Sequence, residues 1–240
     1  MKVALLGYGK MGQLIAKILE EQGDEVVLKV DIDNRDIVTD EELKRADVAI
    51  EFSMPKVAVD NYKWCFDCGV PVVSGTTGWL ERWNEVIQYC NEKKGAFFYA
   101  SNYSIGVNLF FHLNRYLAKV MSQFKEYGIL LEETHHIHKL DAPSGTAITI
   151  AEGILENNDG YESWKLVDDY EASSKELPIV AHRIGEVPGI HKVTYKSGVD
   201  EISIEHSAYS REGFAKGAVA AAKFMVGKCG VYSMEDLLKF

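Results

Sequence analysis

The sequence predicts an α/β protein: a doubly wound parallel sheet carrying an inserted α+β region. Three observations predict it. Short apolar runs alternate with amphipathic helical stretches through the first hundred residues, and a glycine-rich turn joins the first run to the first helix. After about Asn102 the pattern changes to longer strands and a hairpin.

Taken in order, residues 2–6 (KVALL) form an apolar run without helical period that ends at Gly7, as a strand buried on both faces does. Met11, Leu14, Ile15, Ile18 and Leu19 then recur at helical spacing up to Gly23. Residues 25–33 (EVVLKVDID) read as a second strand, 46–53 (ADVAIEFS) as a third and 57–69 (VAVDNYKWCFDCG) as a helix. Residues 70–77 (VPVVSGTT) follow as a fourth strand, 80–94 (LERWNEVIQYCNEKK) as a helix and 96–102 (AFFYASN) as a fifth strand. Short strands separated by helices need crossover connections, and right-handed crossovers lay the helices on both faces of a parallel sheet.

The second region predicts a long helix over 106–124, a strand over 127–136 (YGILLEETHH), a helix from Gly145 to Leu155 and a polar stretch. Strands follow over 190–196 (IHKVTYK) and 201–209 (EISIEHSAY), joined by the hairpin connection Ser197-Gly198-Val199-Asp200. Residues 211–228 are helical again, with an alanine-rich face suited to close packing. The division assigns 1–103 and 212–240 to a dinucleotide-binding domain and 104–211 to a second domain.

The formal charge of −10 on 240 residues excludes the broad basic surface that a nucleic-acid partner needs. No apolar run reaches membrane-spanning length, and the opening residues pass into glycines without a signal-peptide cleavage pattern, so a cytoplasmic protein with neither membrane nor nucleic-acid partner is expected. Cys65 and Cys68 form a lone C-x-x-C without a second pair at zinc-binding spacing, and read as buried thiols.

Gly7-Tyr8-Gly9-Lys10-Met11-Gly12 fits G-x-G-x-x-G between a strand and a helix, and Asp31 lies 19 residues after Gly12 at the end of the second strand. Such a turn gives the backbone close access to a pyrophosphate, and the helix start presents free N–H groups to the anion. This is the Rossmann-type fingerprint. Asp31 is placed to bind adenosine ribose hydroxyls, which favours NADH, while Lys10, Lys29 and Arg35 are candidate partners for a 2′-phosphate; NADH or NADPH is the cofactor expected.

A second motif, ETHHIHKLDAPSGTA, runs from Glu133 to Ala147. It concentrates cationic and titratable groups before a helix start at which Ser144 can cap and Gly145 and Thr146 offer amides and a hydroxyl to an anion. If THHIHK is extended, alternation puts His135, Ile137 and Lys139 on one face and His136 and His138 on the other. Two rival readings are a metal-dependent hydrolase, with His136 and His138 as ligands beside Glu132, Glu133 or Asp141, and a nucleotide-sensing binding module. Lys139 directly after the histidines disfavours a cation, so no metal is expected; the sensing module leaves the cationic cluster without a task.

The strand ends add VVSGTTGW and ASNYSIGVN, and with IEFSMP and the closing HSAYSREGFAKGAVAAAKF these stretches resemble, in order and spacing, the dihydrodipicolinate reductase family. The family is also called 4-hydroxy-tetrahydrodipicolinate reductase. The resemblance covers the whole chain, and the family signature E-[AT]-H-H-x-x-K-x-D-A-P-S-G-T-A is met from Glu133 to Ala147. It implies NAD(P)H-dependent reduction of 4-hydroxy-tetrahydrodipicolinate to tetrahydrodipicolinate plus water, in lysine and diaminopimelate synthesis. A related reductase of another small amino or keto acid is the alternative.

The resemblance further implies catalytic roles for His135 and Lys139, and substrate binding by His136, Gly145 and Thr146. The cofactor would be bordered by Gly75, Thr76, Thr77, Ala100, Ser101, Asn102 and Tyr103. It also implies that the inserted sheet mediates a homotetramer and that the domains close around a cyclic dicarboxylate and the cofactor. Two departures from the family pattern, the shortened GYGKMG loop with Lys10 for an arginine and Met54 after the third strand, leave coenzyme preference open. In that reaction hydride adds to one end of a conjugated imine and a proton must reach the resulting enamine. His135 is the expected acid, Lys139 the group that stabilises developing charge, and His138 a hydrogen-bonded scaffold residue.

Overall fold

The apolar runs of the first hundred residues become the strands of one parallel sheet. In the computed structural model, which describes residues 1–168 and 175–240, the order is β1 (Lys2–Leu6), α1 (Lys10–Glu21), β2 (Glu25–Val30), α2 (Asp40–Leu43), β3 (Val48–Glu51), α3 (Pro55–Cys68), β4 (Val72–Ser74), α4 (Trp83–Glu92) and β5 (Ala96–Tyr99). The second region follows as α5 (Ile105–Met121), β6 (Gly128–His135), α6 (Gly145–Leu155), β7 (Ser163–Val167), β8 (Glu176–Arg183), β9 (Gly189–Lys196) and β10 (Glu201–Ala208). The chain returns through α7 (Glu212–Met225), β11 (Gly230–Tyr232) and α8 (Met234–Leu238). Contacts divide it into two units, Met1–Ile105 with Glu212–Phe240, and Gly106–Arg211.

The first unit holds the sheet β11-β5-β4-β3-β1-β2, all strands parallel. Val3–Leu6 and Val48–Glu51 are buried throughout, because helices cover both faces. On one face Ile15 and Leu19 of α1 pack with Ala218, Ala221 and Ala222 of α7. On the other, Val59, Tyr62 and Cys65 of α3 pack with Leu43, Val86 and Cys90. Truncating one such residue, for instance Ile15→Ala, costs about 2–5 kcal/mol through lost burial and the cavity left behind. Cys65 is a buried thiol as expected, whereas Cys68, at the end of α3, is only half-buried.

The second unit holds the mixed sheet β10-β9-β6-β8-β7, in which β6 pairs antiparallel with β9 and parallel with β8. Phe110, Ala118 and Met121 of α5 and Ile150, Ala151 and Ile154 of α6 cover one face, over Ile129, Leu131, Ile179 and Val193. Along β6 the alternation is strict: Ile129, Leu131, Glu133 and His135 point inward.

Several expectations are corrected. The second strand ends at Val30 rather than at Asp33, because Asn34 accepts from the Asp31 N–H at 2.8 Å and donates to the Lys29 carbonyl at 2.9 Å, folding the chain into a turn. Alternation does not carry His135, Ile137 and Lys139 along one face. The strand stops at His135, and a turn follows in which the Lys139 N–H donates to the His136 carbonyl at 3.1 Å and the Ile137 N–H to Gly185 at 3.0 Å. The polar stretch after α6 contains two strands, β7 and β8, that the sequence reading left unassigned.

Candidate functional site

The nucleotide-facing features lie at the carboxyl ends of the parallel strands, where open α/β sheets bind ligands. Gly7 adopts φ +98°, and a Cβ there would fall 2.0 Å from the Phe52 carbonyl oxygen. A Cβ on Gly12 would fall 2.2 Å from the Gly7 carbonyl oxygen, so this position lets α1 close onto the turn. Gly9, the N-cap of α1, has open space where a Cβ would stand and no side-chain cap on the helix amides. Two glycines are thus consumed by the fold, and the middle one leaves a free approach to the first-turn amides of Lys10, Met11 and Gly12. Those features fit a dinucleotide pyrophosphate.

Beside this turn the Lys29 ammonium lies 4.6 Å from the centre of the Tyr8 ring, and the Arg35 guanidinium 3.9 Å from that of Trp64. Exposed Asp31 accepts from the Ile32 N–H at 2.8 Å through one carboxylate oxygen.

After β4, Gly75 and Thr76 leave the sheet and Thr77 is exposed. The Thr76 hydroxyl is engaged internally, donating to Glu51 at 3.0 Å and accepting from the Ser53 N–H at 2.9 Å. Glu51 itself is fully buried among hydroxyls, and burial raises its pKa against the lowering effect of hydrogen bonds from Ser53, Ser74 and Thr76. After β5, Ala100 is buried, Ser101 exposed and Asn102 half-buried, its side chain accepting from the Ser104 N–H at 2.9 Å. Tyr103 is a core residue: its ring packs on Phe52 and Phe98, and its hydroxyl donates to the Ser74 carbonyl at 2.6 Å. A side-chain contact from Tyr103 to a cofactor is therefore not available while that bond holds.

In the second unit, strand register assembles a polar cluster inside the apolar face. His191 of β9 lies directly opposite Glu133, and Arg183 of β8 pairs with His135. The buried Glu133 carboxylate lies 3.3 Å from His135 Nδ1, within ion-pair reach but out of line for a hydrogen bond. It also lies 3.8 Å from His191 Nε2. It accepts from the Ser144 N–H at 3.1 and 3.2 Å and from Arg183 Nη2 at 3.1 Å.

Burial opposes ionisation of Glu133, yet the adjoining His135 imidazole, the Ser144 amide and the Arg183 guanidinium outweigh it and hold its pKa down to about 2. For His191, burial first and the neighbouring His135 and His206 charges next lower the pKa to about 4, against the pull of Glu133. His135 is shielded from solvent by the chain around it, and a Cβ on Gly189 would come within 3.1 Å of its Nε2. Glu133, His135 and His191 present ligand atoms within 4.8 Å of one another, a spacing that a divalent ion can use. Both Glu133 oxygens already accept the Ser144 amide, and the Arg183 guanidinium at 3.1 Å repels a cation.

The remaining motif residues surround this cluster. His136, half-buried, keeps a buried Nδ1 without a hydrogen-bond partner among the described residues. His138 meets Glu186 at 3.1 Å on the surface, as a scaffold histidine does. Lys139 Nζ donates to both Asp141 oxygens, at 2.9 and 2.8 Å, and its charge is felt at His191. Ser144 caps α6 by accepting from the Ala147 N–H at 3.1 Å, and its hydroxyl lies 3.2 Å from His191 Nε2. Gly145 and Thr146 open the helix; Gly145 is exposed, with nothing within 4 Å of where its Cβ would be.

Sequence reasoning missed Arg183 and His191 as members of this cluster, and named Glu133 only as a metal ligand in a rejected reading. The inward phase of β6 would have found Glu133, two residues before His135. Arg183 sits on an unassigned strand, and His191 is brought in only by cross-strand register.

Comparison with known proteins places this geometry. The N-terminal model of dihydrodipicolinate reductase matches residues 1–103, and the C-terminal model matches residues 106–238. A 4-hydroxy-tetrahydrodipicolinate reductase of Christiangramia forsetii is 49% identical over 240 residues, covering 99% of this chain and 98% of the relative. The enzyme of that name from Methanoregula boonei is 35% identical, covering 99% and 97%. Among solved structures, the dipicolinate-bound dihydrodipicolinate reductase of Paenisporosarcina sp. TG-14 superposes with a TM-score of 0.77 at 21% identity, covering 97% of each chain. A probable dehydrogenase from Thermotoga maritima shares the fold more distantly, with a TM-score of 0.56 at 11% identity over 99% of this chain and 92% of that one. Matched from end to end by both family models and by relatives of nearly full length, the chain belongs to the dihydrodipicolinate reductase family.

Proposed function

We propose that the protein reduces 4-hydroxy-tetrahydrodipicolinate to tetrahydrodipicolinate, with loss of water, in the route to lysine and diaminopimelate, using NADH or NADPH. The observation that carries this reading at the residue level is the meeting of the β6 end with the α6 start. A histidine able to give a proton and a helix terminus able to bind a carboxylate are tied to the same buried Glu133.

The reduced nicotinamide, when bound, supplies hydride. Gly9 and the first-turn amides of α1 would receive its pyrophosphate, and the edge formed by half-buried Gly75 and Asn102 with exposed Thr77 and Ser101 would border the nicotinamide ribose. Asp31, Lys10, Lys29 and Arg35 present opposite preferences to the adenosine end, so use of both coenzymes is proposed. In the second unit the amides of Gly145 and Thr146, the Thr146 hydroxyl and His136 would hold a substrate carboxylate, since a helix N-terminus favours an anion. Lys139 would exchange its Asp141 partner for the substrate and stabilise the charge that develops toward the ring nitrogen. His135 would then deliver the proton to the enamine carbon.

Lys139→Ala and His135→Ala should each lower kcat about a hundredfold or more, the scale of a removed acid or charge stabiliser. Lys139→Ala should also raise KM, and binding of reduced nicotinamide, followed by its fluorescence, should survive in both. Near-normal kcat at saturating substrate in either variant removes that residue from the reducing step. A homotetramer assembled through the five-stranded sheet and a cytoplasmic location complete the proposal. No helix among the described residues is long and apolar enough to cross a membrane. Light scattering coupled to chromatography that returns only monomer mass would rule out the tetramer.

A further inference from the structure

In the second unit, the one buried carboxylate at the centre of the cluster has no task in the reaction as written above. Glu133 is fully buried, and every contact it makes leads to a residue placed in the site or adjoining it. His135 stands two residues along the same inward face of β6, with Nδ1 at 3.3 Å; the Ser144 amide at 3.1 Å is the last before Gly145 and Thr146; Arg183 Nη2 at 3.1 Å also donates to the Asp141 carbonyl at 2.6 Å.

We infer that Glu133 is a positioning residue. Its charge, 3.3 Å from Nδ1, holds that edge of the His135 ring inward and leaves Nε2 as the nitrogen to donate, and its bonds to the Ser144 amide fix the start of α6 relative to the ring. Arg183 keeps the carboxylate paired and ties the Asp141 end of the loop to the same point. The inference rests on the reading of His135 as the proton donor.

Three physical points support it. A carboxylate buried without a cation would be neutralised, but here a guanidinium, an amide and an imidazole surround it, and it stays ionised. A histidine ring that must donate from one nitrogen needs its other nitrogen oriented by a fixed partner, because tautomer and ring orientation are set together. And a substrate held by its carboxylate at the α6 start presents its enamine carbon within reach of His135 only if strand and helix keep their spacing.

The ionisable groups facing His135 are Glu133 on its own strand, Arg183 on β8 and His191 on β9. His206 on β10 lies beyond His191, and Lys139 with Asp141 occupies the connecting loop. Of these, Glu133 and Asp141 are the anions, and Asp141 is paired with Lys139.

The test is Glu133→Gln, which keeps the shape and removes the charge, with Glu133→Asp and His135→Ala made in parallel. Glu133→Gln should lower kcat about tenfold to a hundredfold and weaken binding of pyridine-2,6-dicarboxylate severalfold, leaving the affinity for reduced nicotinamide unchanged. The imidazolium loses its neighbouring anion, so the alkaline limb of the kcat profile, where the acid deprotonates, should move down by about one pH unit. A merely structural residue would not move that limb. Glu133→Asp restores the charge and should return the limb to its wild-type position, while kcat stays reduced because the carboxylate is drawn back by one methylene.

Wild-type kcat and an unshifted limb in folded Glu133→Gln overturn the inference. If that variant does not fold, wild-type kcat in Glu133→Asp overturns it instead. A slow His135→Ala beside a normal Glu133→Gln sinks the inference alone; a normal His135→Ala sinks the reading of His135 and the inference with it.

Discussion

Thr146 carries the most specific claim about substrate binding at the level of one side chain. It stands half-buried in the first turn of α6, next to an exposed glycine, where a hydroxyl and an amide can grip one carboxylate together. Thr146→Val keeps the volume and deletes the hydroxyl. Substrate KM should rise without change in reduced-nicotinamide affinity, because the contact is made in ground state and transition state alike. Steady-state kinetics beside a fluorescence titration check it; an unchanged KM, or weakened cofactor binding, would move Thr146 out of the substrate site. At this scale the motif itself was legible in the sequence, and the roles proposed for its residues came with the family resemblance. Its partners Arg183 and His191 were not legible, because nothing local in a sequence reports which side chain lies across a sheet.

Elements show where local pattern suffices and where it fails. The glycine turn between β1 and α1 was legible because Gly7 and Gly12 each have a steric reason and Gly9 leaves the helix start open, and this gives a direct test. Gly7→Ala would place a methyl against the Phe52 carbonyl at a φ of +98°, where left-handed backbone alone costs about 1–2 kcal/mol. The melting temperature should drop and nucleotide binding should be lost or severely weakened; a variant with wild-type stability would show that the turn is looser than described. The end of β6 was misread for the opposite reason. Alternation has no stop signal of its own, and the turn after His135 is closed by a bond to Gly185, some fifty residues away.

Element packing also sets a pH dependence. His191 on β9 has a folded-state pKa of about 4 against an ordinary 6.5, so between these values the unfolded chain binds the extra proton. Stability should therefore fall as pH drops from about 6.5 to about 4, by on the order of 3 kcal/mol if His191 acts alone. Glu133 adds the next window: its pKa is depressed from 4.5 to about 2, and the stability it contributes is lost as pH falls through that range. Urea midpoints from pH 7 to pH 4 should decline for the wild type and flatten for His191→Gln; equal slopes would contradict the assignment.

For the molecule as a whole, the doubly wound sheet and the presence of an inserted α+β region were legible from the change of periodicity near Asn102. The mixed character of the second sheet was not, because it comes from the parallel pairing of β8 with β6 and β7. The short pieces were not: α2, β11 and α8 have three to five residues each, too few for a periodic signal, and α2 and α8 are held by capping boxes at Thr39 and Ser233. On the proposed reading the uncapped start of α1 would take a pyrophosphate and the capped, histidine-flanked start of α6 a carboxylate. The measurement that tests their union most directly is loss of reduced-nicotinamide absorbance with 4-hydroxy-tetrahydrodipicolinate generated in situ, run with NADH and with NADPH. Both should be oxidised, with kcat/KM values within about a thousandfold, roughly 4 kcal/mol. Normal binding of either coenzyme without oxidation would contradict the account and leave a nucleotide-binding protein whose histidine strand serves some other end.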